Sequence, residues 1–560
     1  MEQVADFLAI IERERSADRP SPPTGMRWHD VPWGRLAIAN HGWQELHNDA
    51  FFVGRPAARD GGDLKTSAHE ALDGQADGYG RLSGIFLLLQ PTDDGVVICT
   101  DRLSHIAVYV HESDDRAVLS TSVELIAREV GPMLDEISLA EMVLWDNPTF
   151  PYTTRQDVRQ LAPGSVHRAQ LCERAIELRS TPLWQPSEPA RWPTKRACID
   201  AAIAGAEASA REIAANGDRL GIMLSGGLDS RIVAATLAKH AHAEAFTYLD
   251  HDNRESRSAA RTAEVLGIEH HLVYRDPAFY AHAFDRGLEL VGFEQNALPC
   301  HSLCLVDHPA VGGLDAIVGG FGCDILMKSA YVPYAMRDLV LANRGLRRLV
   351  PERRIGKHNY SQAHKRRSLV RPDLVEAAYA RRRAYEEQLR EIRPRSAEEW
   401  IGFYPISQTT SIDSAVADRS LSHDEFFFHA GLVEASAMTP AVWKKGLDII
   451  SAMGKRLAPG LAELPHPDSG RPATLRYYPE RILGKLRPRT PPAVDRPAGT
   501  PSWYSDGSFV KYAAFFADCP EWIERREAAF VDAEAVDALA KILTVDPREV
   551  LGRGESRYGS

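Results

Sequence analysis

Apolar positions along this chain follow two rhythms. Up to about residue 180 they come in short runs, SGIFLLLQ (83–90), GVVICT (95–100) and HIAVYV (105–110), divided by turn clusters such as PTDDG. Runs of that length between turn residues predict strands. Helical periodicity is scarce between them, so an antiparallel sheet arrangement is expected rather than βαβ alternation. A helical stretch, SLAEMVLWDN (138–147), and a loop-like LAPGSVHRAQL follow. WQPSEPARWP (184–193), rich in Pro and Trp, reads as a linker.

From about residue 195 the rhythm changes. A helix over 195–216 leads into the apolar run LGIML (220–224), then a helix over 231–239, a strand over 243–249, a helix over 254–267 and a strand over 269–274. That alternation predicts an α/β fold with a parallel, doubly wound sheet that binds ligands at the carboxyl ends of its strands. The strand DAIVGG (315–320) ends in a second glycine turn, Gly320-Phe321-Gly322-Cys323-Asp324, and the remainder reads as mostly helical. Residues 344–395 are arginine-rich, with Arg381, Arg382 and Arg383 consecutive, but glutamates are interleaved; a solvated helical face is expected. The chain thus divides into residues 1–183, residues 194–515 and a helical tail, 516–560.

The chemistry concentrates in one turn. Leu224 closes an apolar run that passes abruptly into Ser225-Gly226-Gly227-Leu228-Asp229-Ser230, with a helical pattern directly behind. Strand, glycine turn and helix together aim backbone N–H groups and a helix N-terminus at an anion. Asp229 suits a phosphate only with a divalent cation between them. The turn therefore predicts a site for a nucleotide with Mg2+.

Composition narrows the classes. At 560 residues, 44% apolar and 26% charged, two or three globular domains are expected. A net charge of −11 argues against general nucleic-acid affinity. Seven cysteines, spread from Cys99 to Cys519, suggest no disulfide framework. The opening MEQVADFLAIIERERS lacks the features of a signal peptide, and no apolar run approaches the roughly 18 residues of a bilayer span. A cytoplasmic protein with neither a nucleic-acid nor a membrane partner is expected.

The SGGLDS turn resembles the pyrophosphate loop of ATP-pyrophosphatase enzymes, and more of the chain resembles their asparagine synthetase-like branch. Gly84-Ile85-Phe86, Asp101-Arg102, Ser122-Val123-Glu124 and Pro163-Gly164 stand in the order of that family's N-terminal glutaminase domain. Phe246-Thr247, Glu255, Gly267 and His270-His271 match its adenine-side segment, and Gly320-x-Gly322-x-Asp324 its second metal loop. The resemblance implies that residues 224–230, Thr247 and Gly320 bind ATP and pyrophosphate, that Asp229 and Asp324 hold Mg2+, and that the N-terminal part is a degenerate glutaminase-like sandwich. Glutamine-hydrolysing members need a cysteine at the second position; here Glu2 stands there and the first cysteine is Cys99, so glutaminase activity is expected to be absent.

In the metal loop, asparagine synthetases usually carry Glu where this chain has Phe321 and Ile325. An aromatic before Gly-x-Asp-Ile is similar to β-lactam and carbapenam synthetases, although those have a tyrosine whose hydroxyl Phe321 lacks. Lasso-peptide macrolactam cyclases also belong to this branch and lack the cysteine. The resemblance implies a peptide or small-molecule substrate, and a leader-peptide-binding or protease protein as partner. A late catalytic lysine is implied too: Lys485 fits, and Arg487 fits equally by spacing from Pro479. Asp413, Asp418 and Glu425 are alternative general bases for the amine. Cys300, Cys304 and His308, four residues apart, are expected on a core-facing helix rather than around zinc, His270-His271 in packing, and Glu255 in a pair with Arg261.

Overall fold

The computed structural model describes residues 6–13, 21–47, 49–131, 133–173, 175–249, 252–275, 279–292, 294, 300–330, 332, 366–409, 412–465 and 541–544. Lys485 and Arg487 lie outside these residues, as does nearly all of the expected 516–560 tail.

Two six-stranded antiparallel sheets make up the N-terminal half. One runs Val158–Gln160, Tyr109–Glu112, Arg116–Ser120, Phe7–Glu12, Gly34–Ala39, Met26–His29; the other Ile176–Pro182, Ser165–Leu171, Gly95–Thr100, Phe86–Pro91, Phe51–Gly54, Gln44–Glu45. Phe7, Ala9, Ile11, Leu36 and Ile38 of the first share one core with Leu87, Leu89, Val96 and Ile98 of the second. The outer faces are covered as well. Helix Val123–Val130 lies over Leu8, Ile10 and Val118, and helix Leu64–Leu72 over Leu88, Val97 and Cys99. A strand buried on both faces needs no polar alternation, which is why FLAII, FLLL and VVIC are continuous apolar runs.

Two elements depart from the sequence expectation. HIAVYV becomes a strand only at Tyr109, because Asp101 holds the N–H groups of Leu103 (2.9 Å) and His105 (3.0 Å) in a turn. LAPGSVHRAQL, expected as a loop, carries the strand Ser165–Leu171, paired on both sides.

Helix Lys195–Ala215, capped by the Thr194 side chain, leads into a five-stranded sheet in which every pairing is parallel. Its order is Glu269–Tyr274, His242–Leu249, Arg219–Met223, Ala316–Gly319, His423–Glu425. The chain builds outward from Arg219–Met223 on one side, then returns to add Ala316–Gly319 on the other. The order reverses between those two strands, and in doubly wound sheets ligands bind beyond the strands' carboxyl ends at such a reversal.

Where it is described, the arginine-rich stretch is a solvated face only in part: Arg383, Glu387, Arg390 and Glu391 are exposed, but two arginines turn inward. Within helix Pro372–Ile392, Arg382 is buried and donates to Gln408 Oε1 at 3.0 Å, while Arg381 pairs with Asp135 at 2.5 Å and lies 3.9 Å over the Tyr152 ring. Only Arg383 of the three is exposed. Cys300, Cys304 and His308 do not share a helix face: two short 3-10 turns, His301–Leu305 and Pro309–Gly313, replace the expected helix.

An ionic seam joins the halves. Arg55 donates to Asn216 O (2.9 Å), Ser422 Oγ (3.1 Å) and Asp315 O (3.2 Å), and its Nε stands 3.7 Å from the buried Asp424. Arg59 and Arg102 share Glu434, each at 3.0 Å. Ser83 Oγ donates to Glu212 at 2.6 Å, and Glu212 pairs with His429 at 2.9 Å. Among the described residues, no helix is long and apolar enough to cross a membrane.

Candidate active site

The loop that leaves strand Arg219–Met223 is tied down at its base. Leu224 N–H donates to Phe246 O at 2.8 Å, and Leu224 O accepts from Thr247 Oγ1 at 2.5 Å. Thr247 Oγ1 also meets His270 Nε2 at 2.9 Å, so this hydroxyl braces the loop. Gly226 has φ +72°, and a Cβ there would stand 2.7 Å from Ser258 Cβ; the turn requires glycine. Ser225 N–H donates to Ser230 Oγ at 3.2 Å, and Ser230 Oγ donates to Gly227 O at 3.2 Å, so the serines cross-link the turn.

Behind the loop, helix Leu228–Leu237 begins with Gly227 as N-cap and has no side-chain cap. Its first-turn N–H groups and the positive end of its dipole favour an anion. Arg231, fully buried one turn on, holds the back of the loop. It donates to Leu461 O (3.0 Å), Leu464 O (2.9 Å), Pro465 O (2.7 Å) and Ser258 Oγ (2.7 Å).

The second loop arrives from Ala316–Gly319. A Cβ on Gly320 would lie 3.9 Å from Ser230 N, so the two loops meet there. Phe321 is half-buried, with its ring edge-on to Phe428 at 5.7 Å. Gly322, at φ +89°, passes so close to Phe428 that a Cβ would stand 2.4 Å from the ring. Asp324 follows in the short helix Cys323–Leu326, its side chain half-exposed.

Asp229 and Asp324 are brought together by a residue the sequence reading did not single out. Lys328 Nζ pairs with Asp229 Oδ2 and, at 2.8 Å, with Asp324 Oδ1. Against the cost of burial, Asp229, with Cys323 and Asp324, holds the Lys328 ammonium charged well above the usual lysine range. Spacing of four from Asp324 was the only sequence signal, and such pairs are common on helices. Asp229 Oδ1, by contrast, is buried and has no hydrogen-bond partner. An orphaned carboxylate oxygen beside a second carboxylate fits a hard, oxygen-seeking ion such as Mg2+.

The three candidate bases have different fates. Asp413 Oδ1 accepts from Ser302 N–H (2.7 Å) and Oγ (2.9 Å), and Oδ2 from Tyr248 Oη (3.3 Å); burial raises its pKa. Asp418 is clasped by His105 at 2.5 Å and His423 at 2.6 Å, and these imidazoles, overcoming burial, hold it far below the usual carboxylate range. Glu425 lies directly under Gly319, and accepts from Phe321 N–H and Ser414 Oγ, both at 2.9 Å. Asp418 is thus a fixed counterion and Glu425 a loop support, leaving Asp413 the candidate with a raised proton affinity. His105, from the N-terminal half, also packs on Phe428 at 5.1 Å, so that half reaches the floor of the site. Glu255 opens helix Arg254–Leu266, whereas Arg261 pairs with Glu264 at 2.5 Å.

Residues 207–425, which span both loops, match the family model described as asparagine synthase. No curated protein matches this chain. Among solved structures, the chain is similar to glutamine phosphoribosylpyrophosphate (PRPP) amidotransferase from B. subtilis complexed with ADP and GMP: 12% identity over 43% of this chain and 67% of that one, with a TM-score of 0.18. It is also similar to a structure described as the allosteric regulatory enzyme of purine biosynthesis, at 12% identity over 56% of this chain and 65% of that one, with a TM-score of 0.18. Likeness at that level carries no inference about activity.

Proposed function

Taking the asparagine synthase match over residues 207–425 as premise, we propose that this chain is an ATP-dependent, AMP- and pyrophosphate-forming amide ligase. It adenylates a substrate carboxylate and joins it to an amine without hydrolysing glutamine. The ring-closing form, a macrolactam or β-lactam-type closure within one peptide or small molecule, is the version we favour. Phe321 and Ile325, in place of the glutamates usual in asparagine synthetases, support it.

The observation that carries the reading is the orphaned Asp229 Oδ1 beside the uncapped helix N-terminus, at the point where the parallel sheet reverses its order. In this reading residues 225–230 grip the β- and γ-phosphates, and Asp229 and Asp324 hold Mg2+. Mg2+ held by these two carboxylates would supply positive charge to offset that of the pyrophosphate leaving group. The substrate carboxylate attacks the α-phosphorus, forming an acyl-adenylate, and the amine then displaces AMP. Asp413, with its raised pKa, takes the amine's proton. Lys485, or Arg487, would oppose the negative charge that builds up in both steps.

Cys99 lies buried in the core between sheet and helix, its thiol pushed far up by burial, and so does not suit a nucleophile for glutamine hydrolysis. The test is incubation with Mg-ATP and a panel of peptides bearing an acidic side chain and a free N-terminus, together with β-amino acids. AMP, pyrophosphate and a product lighter by one water are expected. ADP and phosphate would overturn the reading, and asparagine from aspartate and ammonium would replace ring closure with ammonia transfer.

A further inference from the structure

Lys328 is held as firmly as the loops it bridges. Its N–H donates to Cys323 O at 3.1 Å, and Ala330 N–H donates to Asp324 O at 2.8 Å. Between them Ser329 Oγ donates to Glu399 at 2.6 Å, and Glu399, buried, pairs with the buried Lys444 at 2.5 Å. The ammonium is therefore delivered to the carboxylate pair by anchored backbone on both sides.

Asp229 is divided between two roles. Oδ2 is taken by Lys328, while Oδ1 is buried and unpartnered. Asp324 likewise gives Oδ1 to the lysine. Two carboxylates and one ammonium leave a net charge of −1, which one divalent ion more than balances. A second ion would meet the lysine's positive charge within a few ångströms.

Resting on the reading that ATP is the substrate, we propose that Lys328 is a permanent internal cation of this site. It stands where a second divalent ion would otherwise balance the carboxylate pair, so that a single Mg2+ accompanies the nucleotide. Lys328 is then a positioning residue that sets metal stoichiometry. It also keeps free divalent ions weakly bound until the nucleotide arrives with its own.

Mn2+, counted by electron paramagnetic resonance on the full chain, tests this. One Mn2+ per chain is expected with α,β-methylene ATP, and only weak binding without it. Lys328→Met, which keeps length and removes charge, should tighten nucleotide-free Mn2+ binding by about tenfold or more, whereas Lys328→Arg should leave it as in the wild type. Two Mn2+ per wild-type chain, or unchanged affinity in a folded Lys328→Met protein, would overturn the proposal. The nucleotide-free titration needs no turnover: absence of AMP formation would sink the ligase reading while leaving this measurement intact.

Discussion

Phe321 donates its backbone N–H to Glu425 Oε2 at 2.9 Å, so the loop carrying Asp324 rests on a carboxylate of the sheet's edge strand. The same carboxylate accepts from Ser414 and faces His423 at 3.3 Å. Glu425→Ala should cost about 2–3 kcal/mol of stability, since it strands a buried N–H and half-unpairs a buried imidazolium. Glu425→Gln, which keeps an acceptor, should cost less. Urea titration of both variants gives the comparison.

Asp229→Asn keeps the shape of the loop but removes the charge that faces the orphaned position. Pyrophosphate release should fall by about 100-fold or more, with the thermal midpoint little changed or raised. A folded Asp229→Asn protein with wild-type turnover would remove Asp229 from the metal set.

Stability should fall as pH rises past neutrality. His429 sits between Asp424 and Glu212, which, against burial, raise its pKa to about 9. A folded pKa above the unfolded value of about 6.5 means the contribution is complete below pH 6.5 and is lost as pH climbs through about 9. His423, raised to about 10 by Asp418 and Glu425, adds to the same slope. From His429 alone up to about 3 kcal/mol is at stake. Urea midpoints from pH 6.5 to 10 should decline, and His429→Gln should flatten the curve.

The two loop glycines differ in a way that can be measured. Gly322→Ala forces a side chain into φ +89° and against the Phe428 ring, at roughly 2–4 kcal/mol. Gly320→Ala meets nothing nearer than Val233 Cγ2 at 3.7 Å and should be close to neutral for folding. Equal destabilisation of both variants in urea would contradict this packing.

How much of this was readable beforehand depends on the range of the interaction. Strand Glu269–Tyr274 and the glycine turns were legible because local pattern alone defines them. The helix after the SGGLDS turn begins at Leu228, three residues earlier than expected, because Gly227 caps it with backbone only. Lys328 was not legible: Asp229 is 99 residues away, and only the parallel sheet brings the two together. Nor was the clasp of His105 on Asp418, or the inward turn of Arg381 onto Asp135, since a charged residue's partner more than two hundred positions off leaves no periodic trace.

The ionic seam has a consequence for dividing the chain. Asp424 has no exposed side-chain surface, and its positive neighbours include Arg55 from one half and His429 and His423 from the other. Glu434 depends likewise on Arg59 and Arg102. Cut near residue 190, each fragment would present bare charges across a large apolar face, and neither would be expected to stay soluble alone. The N-terminal sheets thus act as a solid solvent for the C-terminal half. Their guanidinium and imidazole groups do for Asp424, Glu434 and Asp418 what water does at an open surface.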